Sequence, residues 1–189
     1  MGDQADYGTN GLPHQLFSRD REEALSLLQA TFESTADGLL VVSRGGQVLG
    51  YNQKFLQMWH LPPHLVAPDS NPKVRFQYLA DQTTDPEGFK SRVLELFDDT
   101  PDAIVFDQLT LRDGRIIERY SQPQQLNGAI VGRVWSYRDI TERYRAEVAL
   151  RQSEEKFRRI VEQAKDVIFL VGPQGHILYA SPNLVNLAG

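Results

Sequence analysis

The sequence contains the same short pattern twice. When Phe32–Phe55 is aligned with Val161–Leu184, five positions are identical and most others keep their apolar or polar character. Each copy has an acidic residue, a run of apolar residues, a glycine-containing turn and a second apolar run. Turns this regular indicate a tandem array of one structural module. The second copy is too short to complete the module, so we expect one full module and the opening of another.

The composition limits the classes of protein to which the chain can belong. Its 189 residues include 41% hydrophobic and 24% charged residues, which is ordinary for a globular domain. With no cysteine, the chain has no disulfide, no thiolate metal site and no cysteine nucleophile. The net charge of -5 argues against a nucleic-acid surface. No apolar run approaches the roughly 20 residues of a membrane span, and the N-terminus lacks the pattern of a signal peptide. We expect a cytoplasmic chain.

The first half of the chain alternates between helical and strand-like patterns. Residues 1–19 have no periodicity, so we expect a flexible arm there. A helix is expected to begin at Asp20, followed by apolar residues at helical spacing. Leu39–Ser43 and Gln47–Tyr51 read as two short strands around a Gly-Gly turn. Further helices are expected to begin after polar capping residues, namely Asn52, Asn71 and Asp85.

Three longer strand-like segments complete the domain. They are Ala103–Arg112, Arg115–Gln122 and Ala129–Asp139, separated by an Asp-Gly and an Asn-Gly pair that favour tight turns. The sequence therefore predicts an α+β domain over residues 20–139. Its sheet is expected to be antiparallel and five-stranded, with short helices on one face, an amphipathic helix before it and a linker helix after it.

The segment that follows the last strand has a helical period. Small or apolar residues recur at spacings of four and three, the pattern of a two-stranded coiled coil: Ala146, Leu150, Ser153, Phe157, Ile160 and Ala164. We expect a signalling helix over 140–165; a single amphipathic helix lying on its own domain is the alternative. Residues 166–189 lack the strands needed to close a second sheet, so we expect them to be mobile or borrowed into a neighbour's sheet.

Several motifs together resemble the PAS sensor domain. The most specific is the run Trp135–Arg143, which ends in aspartate, isoleucine, threonine, glutamate and arginine. The strand order adds to it, as do the Asp37-Gly38 entry to the first strand, the Tyr51-Asn52 turn and the Asp113-Gly114-Arg115 hairpin. The resemblance covers Asp20–Arg143 as a whole domain and Phe157–Gly189 as the opening of another.

The resemblance implies a signalling module rather than an enzyme. PAS domains of this type occur in bacterial sensor histidine kinases and diguanylate cyclases, where they dimerise and pass a signal through a helix to an output domain. No phosphoacceptor helix, nucleotide-binding loop or cyclase signature is visible, so we expect an input fragment, a homodimer, and downstream PAS and effector domains as partners. A sensor that binds a small molecule or a cofactor is the alternative.

The exit from the last strand is the expected signal-relay site. Asp139 can cap the following helix, and Glu142, three residues on, can complete a capping box. Thr141 can add a side-chain bond at the same turn, and Arg143 ends the motif. A joint stiffened in this way would convert a shift of the strand into a movement of the helix. A plain helix cap is the simpler interpretation.

A ligand pocket between the sheet and the helices is the second expected site. The candidate lining is mostly aromatic, and such side chains also serve as ordinary core: Phe55, Trp59, Phe76, Phe89, Phe97, Phe106 and Val134. We expect no cofactor and no metal. Haem would need an axial ligand, and His60 and His64 are the candidate histidines in the full module; flavin could bind only without a cysteine adduct.

A dimer surface is the third expected site. Leu25, Leu28 and Phe32 form an apolar stripe on the first helix, and Trp135 and Tyr137 share one face of the last strand because strand side chains alternate. We expect these five residues to meet a second copy of the chain.

Overall fold

The computed structural model describes the backbone of residues 12–163 and 167–180, and the side chains within 22–161 and 167–180. The chain forms two compact units, Met1–Ile140 and Thr141–Gly189. Within the described residues, no helix has both the length and the apolar character that crossing a bilayer requires.

The first unit contains one sheet and a layer of helices. Helix α1 (Leu12–Glu33) precedes strands β1 (Gly38–Ser43) and β2 (Val48–Tyr51). Then come α2 (Gln53–Met58), a 3₁₀ turn (Pro63–Leu65), α3 (Pro72–Asp81) and α4 (Pro86–Asp98), followed by β3 (Val105–Thr110), β4 (Ile116–Leu126) and β5 (Ala129–Asp139). The five strands are antiparallel in the order β2-β1-β5-β4-β3, which confirms the predicted α+β fold.

Two boundaries differ from the sequence prediction by more than two residues. Helix α1 begins at Leu12, so the predicted arm over residues 1–19 is wrong from that residue on, and residues 1–11 lie outside the described part. Pro13 stands in the first turn, where a proline is tolerated. Strand β4 continues through Pro123, beyond the predicted end. The proline is tolerated because β3 pairs with β4 only as far as Ser121, which leaves that side of Pro123 without a strand partner.

The core lies between the sheet and helices α2, α3 and α4. Its centre is an aromatic cluster in which the Tyr137 ring centroid lies 5.2 Å from Trp59 and 5.7 Å from Phe55. Phe89 continues the cluster, 6.4 Å from Trp59 and 5.8 Å from Phe76. Edge and tilted contacts of this kind add to the hydrophobic stabilisation of each ring. The helices therefore cover one face of the sheet only.

The Asn52 side chain links α1, β1 and α2 through hydrogen bonds. Its Oδ1 accepts hydrogen bonds from the backbone N–H of Leu39 at 2.8 Å and of Phe55 at 3.0 Å, the second being the expected cap of α2. Its Nδ2 lies within hydrogen-bond distance of three oxygens, Phe32 O (3.1 Å), Thr35 Oγ1 (3.0 Å) and Asp37 O (2.9 Å). The Asn52 side chain is fully buried, so its removal leaves buried and half-buried backbone groups short of hydrogen bonds, whereas Thr35 is exposed to water.

The second unit contains the expected helix and hairpin. Helix α5 runs over Thr141–Gln163, and β6 (Phe169–Val171) pairs antiparallel with β7 (Ile177–Ala180). The ring centroids of Phe157 and Tyr179 are 6.4 Å apart. The predicted end of the helix at residue 165, and residues 181–189 of the second module, lie outside the described part. The expected mobility of 166–189 stays a prediction.

Replacing Asn52 by alanine should cost far more stability than replacing another capping asparagine. Asn52→Ala leaves several buried groups without partners, so we expect a loss of about 3 kcal/mol in the free energy of unfolding. Asn71 is the matched control, because it is exposed and its side chain accepts one hydrogen bond, from Lys73 N at 2.9 Å. Asn71→Ala should cost about 1 kcal/mol. Urea unfolding followed by circular dichroism measures both, and equal losses would contradict this account.

Candidate functional site

A cavity of about 280 Å³ lies between the sheet and the helix layer. Apolar side chains from β1, β5, α3 and α4 make up most of its wall, among them Leu40, Phe76, Leu79, Phe89, Phe97 and Trp135. The volume is near the lower end of the roughly 300–1,000 Å³ of typical small-molecule sites. The cavity therefore suits a small, mostly apolar ligand.

The predicted pocket residues divide into two groups. Phe76, Phe89 and Phe97 line the cavity, while Phe55 and Trp59 are buried in the core without lining it. The assignment of Phe106 and Val134 to the pocket is wrong. The side chain of Phe106 is 64% exposed, and Val134 alternates with the inward-facing Trp135, so both residues lie on the outer face of the sheet.

Trp135 and Tyr137 do not belong to a dimer surface. Their side chains are only 3% and 2% exposed, and both line the cavity. Alternation does place them on one face of β5, but that face is the one covered by helices. Leu25 and Leu28, by contrast, are 56% and 66% exposed, and Phe32 is partly exposed. The predicted dimer surface is thereby reduced to its α1 residues.

Arg75 places a positive charge in the cavity wall. Its side chain lies on the buried side of α3, four residues before Leu79, and is 4% exposed. The guanidinium donates to Gly46 O, to Leu65 O at 3.3 Å and to Ser70 Oγ at 3.5 Å, all uncharged oxygens. Within the described residues it has no carboxylate partner. Burial lowers the pKa of Arg75 because it disfavours the charged form.

Tyr137 adds a hydroxyl group to the buried part of the cavity wall. Burial is the main reason that the pKa of Tyr137 is raised well above its ordinary value, and the nearby Arg75 and Arg119 charges lower it by less. The hydroxyl is therefore protonated at neutral pH and can donate a hydrogen bond.

Two further buried arginines hold the Trp135 ring in place. Arg119 donates to both carboxylate oxygens of Asp107 through Nε and Nη2, and its guanidinium carbon lies 5.4 Å from the Trp135 centroid. Arg133 donates to Ser121 Oγ and to Ala103 O, each at 2.8 Å, and lies 5.8 Å from the same centroid. Burial lowers the pKa of Arg133. The Trp135 ring thus contacts two guanidinium groups, and each of these cations is attracted electrostatically to the ring face.

On the outer face of the sheet, Asp37 joins the beginning of β1 to the end of β5. Its carboxylate accepts from Arg138 Nε at 2.7 Å and Nη2 at 3.0 Å, and from Ser136 Oγ at 3.0 Å. The hydrogen bond to Asp37 raises the pKa of Arg138. This bidentate pair fixes the end of β5 at Arg138, three residues before α5 begins.

The expected relay residues lie at the junction of β5 and α5. Asp139 is exposed and pairs with Ile117 in the ladder, while Ile140 N donates to Ile116 O at 2.9 Å. Helix α5 begins at Thr141, which is buried, and Glu142 and Arg143 in its first turn are exposed. The ladder therefore continues to the residue before the helix. Capping of α5 by Asp139 stays a prediction.

The candidate haem ligands do not lie in the cavity. His60 and His64 are both exposed, and neither side chain is part of the cavity wall. His60 has a positive φ of 45°, and its carbonyl accepts from the Tyr78 hydroxyl at 2.9 Å. Histidine ligation of a haem in this cavity therefore does not fit the residues that line it.

Sequence reasoning missed Arg75. A charged residue in a short helix is normally assigned to the solvent face. The one available signal was its spacing of four residues from Leu79, which places both side chains on the same side of α3.

Comparison with known proteins gives related sequences and structures. The family described as PAS fold matches residues 32–148. Similar solved structures include the PAS domain of an HTR-like protein from Haloarcula marismortui, with 22% identity, a TM-score of 0.47, and coverage of 67% of this chain and 99% of that chain. The PAS domain of BvgS from Bordetella pertussis has 18% identity and a TM-score of 0.49, covering 71% and 98%. No curated protein matches the sequence.

The sensor region of a sensor histidine kinase is also similar, with 17% identity, a TM-score of 0.46, and coverage of 74% of this chain and 57% of that chain. The family match extends from the last turn of α1, through the whole sheet and its helices, into α5. It thus includes every residue that lines the cavity, and it spans more than half of the chain. The chain belongs to the PAS fold family.

Proposed function

We propose that this chain is a sensory and dimerisation module of a bacterial, cytoplasmic signal-transduction protein, a sensor histidine kinase or a diguanylate cyclase. PAS domains are sensory rather than catalytic modules, so the enzymatic output would belong to another part of the parent protein. The observation that carries the proposal is the position of β5. This strand supplies Trp135 and Tyr137 to the cavity and leads into α5 after one intervening residue, Ile140.

The proposed signal begins with movement of the cavity wall. An occupant that displaces the Trp135 or Tyr137 ring would also displace β5, because both residues lie in the continuous ladders with β1 and β4. The close packing of the core favours a shift of the whole strand over local compression. Asp139, Thr141, Glu142 and Arg143 would then convey the shift to α5 and to the domains beyond it.

In a homodimer, the proposed movement of α5 would take place relative to the second copy of the chain. The exposed leucines of α1, Leu25 and Leu28, support a self-association surface, as does the neighbouring Leu27, which is 69% exposed. On α5 the seam residues Leu150, Phe157 and Ile160 are also more than half exposed. Apolar rows on two helices favour pairing with identical rows of a second chain.

A small-molecule or cofactor sensor is the second candidate function, and the apolar cavity favours it. An absorption spectrum of the purified protein distinguishes a haem or flavin sensor from the other cases. We expect no absorption band at wavelengths longer than those of the aromatic side chains. A Soret band or a flavin band that persists through gel filtration would show that a coloured cofactor is bound.

Charged substitutions on α1 should separate the dimer. Leu25→Glu with Leu28→Glu places two like charges on each copy of the surface, so we expect the sedimentation coefficient to fall to that of a monomer. Val74→Glu is the control, because Val74 is also about half exposed, at 51%, but lies on α3. A double variant that remains dimeric, with circular dichroism unchanged, would contradict the α1 interface.

Disulfide trapping should decide between a coiled coil and a lone amphipathic helix. The natural chain has no cysteine, so single substitutions report on one position each. In a parallel coiled coil, Leu150→Cys lies opposite its copy and should cross-link rapidly under mild oxidation, because the Cα atoms come within the distance of a disulfide. Gln152→Cys, off the seam on the same helix, is the control and should react much more slowly. Equal rates would favour the lone helix.

A further inference from the structure

The cavity wall has more positively than negatively charged side chains. Three cationic side chains line it, Arg44, Lys73 and Arg75, against one carboxylate, Asp98. Arg44 and Lys73 are exposed, whereas Arg75 is almost completely buried. Exposed cations at the open side raise the local concentration of anions, and a buried cation can bind an anion strongly because water does not screen it. The cavity therefore favours an anionic occupant.

Arg75 has hydrogen-bonding capacity left over. A guanidinium has five N–H donors, and Arg75 makes three hydrogen bonds to described residues, two from Nη1 and one from Nη2. One N–H on Nε and one on Nη2 are left. Nε makes no hydrogen bond to described residues and is not among the buried atoms that lack a partner, so it is accessible from the cavity or from solvent, while Nη2 has one N–H beyond its bond to Gly46 O. Arg119 uses the same two nitrogens to hold the Asp107 carboxylate.

Tyr137 adds one more donor beside this guanidinium. Arg75 and Tyr137 line the same cavity, and the charge of Arg75 acts to lower the pKa of the Tyr137 hydroxyl. Within the described residues the Tyr137 hydroxyl donates no hydrogen bond. Two N–H groups and one O–H match a single carboxylate, whose two oxygens can accept all three. A phosphate dianion would leave more charge uncompensated in an otherwise apolar wall.

We propose that the cavity binds a small organic monocarboxylate, with its carboxylate on Arg75 and the Tyr137 hydroxyl and its apolar body against Phe76, Phe89 and Trp135. The proposal rests on the sensory function and names the ligand class of the same site. Binding would neutralise the buried guanidinium and press on the ring of Trp135, in the strand that leads to α5.

Arg75 also has a structural contact, because its bond to Gly46 O joins α3 to the β1–β2 turn. A variant of Arg75 could therefore weaken ligand binding merely by loosening the cavity. The discriminating quantity is the ratio of affinities for an acid and for its uncharged amide. A loosened cavity lowers both affinities together and leaves their ratio unchanged. Loss of carboxylate recognition lowers the affinity for the acid alone, so the ratio falls.

The experiment is calorimetric titration of the full chain with 3-phenylpropionate and hexanoate, each beside its neutral amide, and with inorganic phosphate. We expect each acid to bind at least about tenfold more tightly than its amide, the effect of a charge-assisted hydrogen bond. Arg75→Gln should bring the ratio to about one. Tyr137→Phe removes one oxygen from the ring and should lower the ratio a few fold. Arg92→Gln, on exposed α4 surface next to Glu95, is the control and should leave it unchanged.

Several results would overturn the proposal. Amides that bind the natural chain as tightly as acids, an acid-to-amide ratio that survives Arg75→Gln, or phosphate that binds in preference to both acids would each do so. If Arg75→Gln does not fold, the natural chain and Tyr137→Phe still decide the question. Sedimentation of the same samples shows whether the ligand proposal or the proposed dimer has failed. A dimer that binds no acid removes this inference alone, and a monomer that binds acid removes the dimer of the proposed function alone.

Discussion

Strand β5 is the element on which the rest of the structure depends. It lies at the centre of the sheet, where residues 132–137 pair with β1 on one side and the strand pairs with β4 on the other, so its middle part has a ladder on both edges. One face presents Arg133, Trp135 and Tyr137 to the helices, and the other presents Ser136 and Arg138 to Asp37. A strand held in this way can move only as a body, because any local slip would exchange its two faces.

The inner face of the sheet combines aromatic rings with buried arginines. Arg119 has the Asp107 carboxylate, and Arg133 has a serine hydroxyl and two carbonyls, so the cost of burying these charges is offset inside the fold. Arg75, like Arg133, has one serine hydroxyl and two carbonyls, but of the three arginines it is the one that lines the cavity. Because these bonds already hold the guanidinium of Arg75, the wall needs little rearrangement to bind the proposed carboxylate. Its place in the cavity wall makes Arg75 the proposed ligand contact.

The sequence predicted the fold well, because strand alternation, turn residues and helix caps are local signals. It predicted that Trp135 and Tyr137 share a face, but alternation does not say which face is buried. Arg133 has the same phase as Trp135 and Tyr137 and is buried, although charged residues are seldom buried. Its partners, Ser121 Oγ and Ala103 O, come from distant parts of the chain, and only the folded sheet brings them together. The cavity and the role of Arg75 depend on the same long-range packing.

The proposed relay requires that β5 and α5 move together. Residual dipolar couplings of backbone amides, measured in one weakly aligned sample, test it most directly, because they report the orientation of each segment in a common frame. The account predicts that the amides of residues 38–139 and of 141–163 fit a single alignment tensor of equal magnitude. Two tensors, with a much smaller one for the helix, would show that α5 reorients independently, and the relay would then be contradicted.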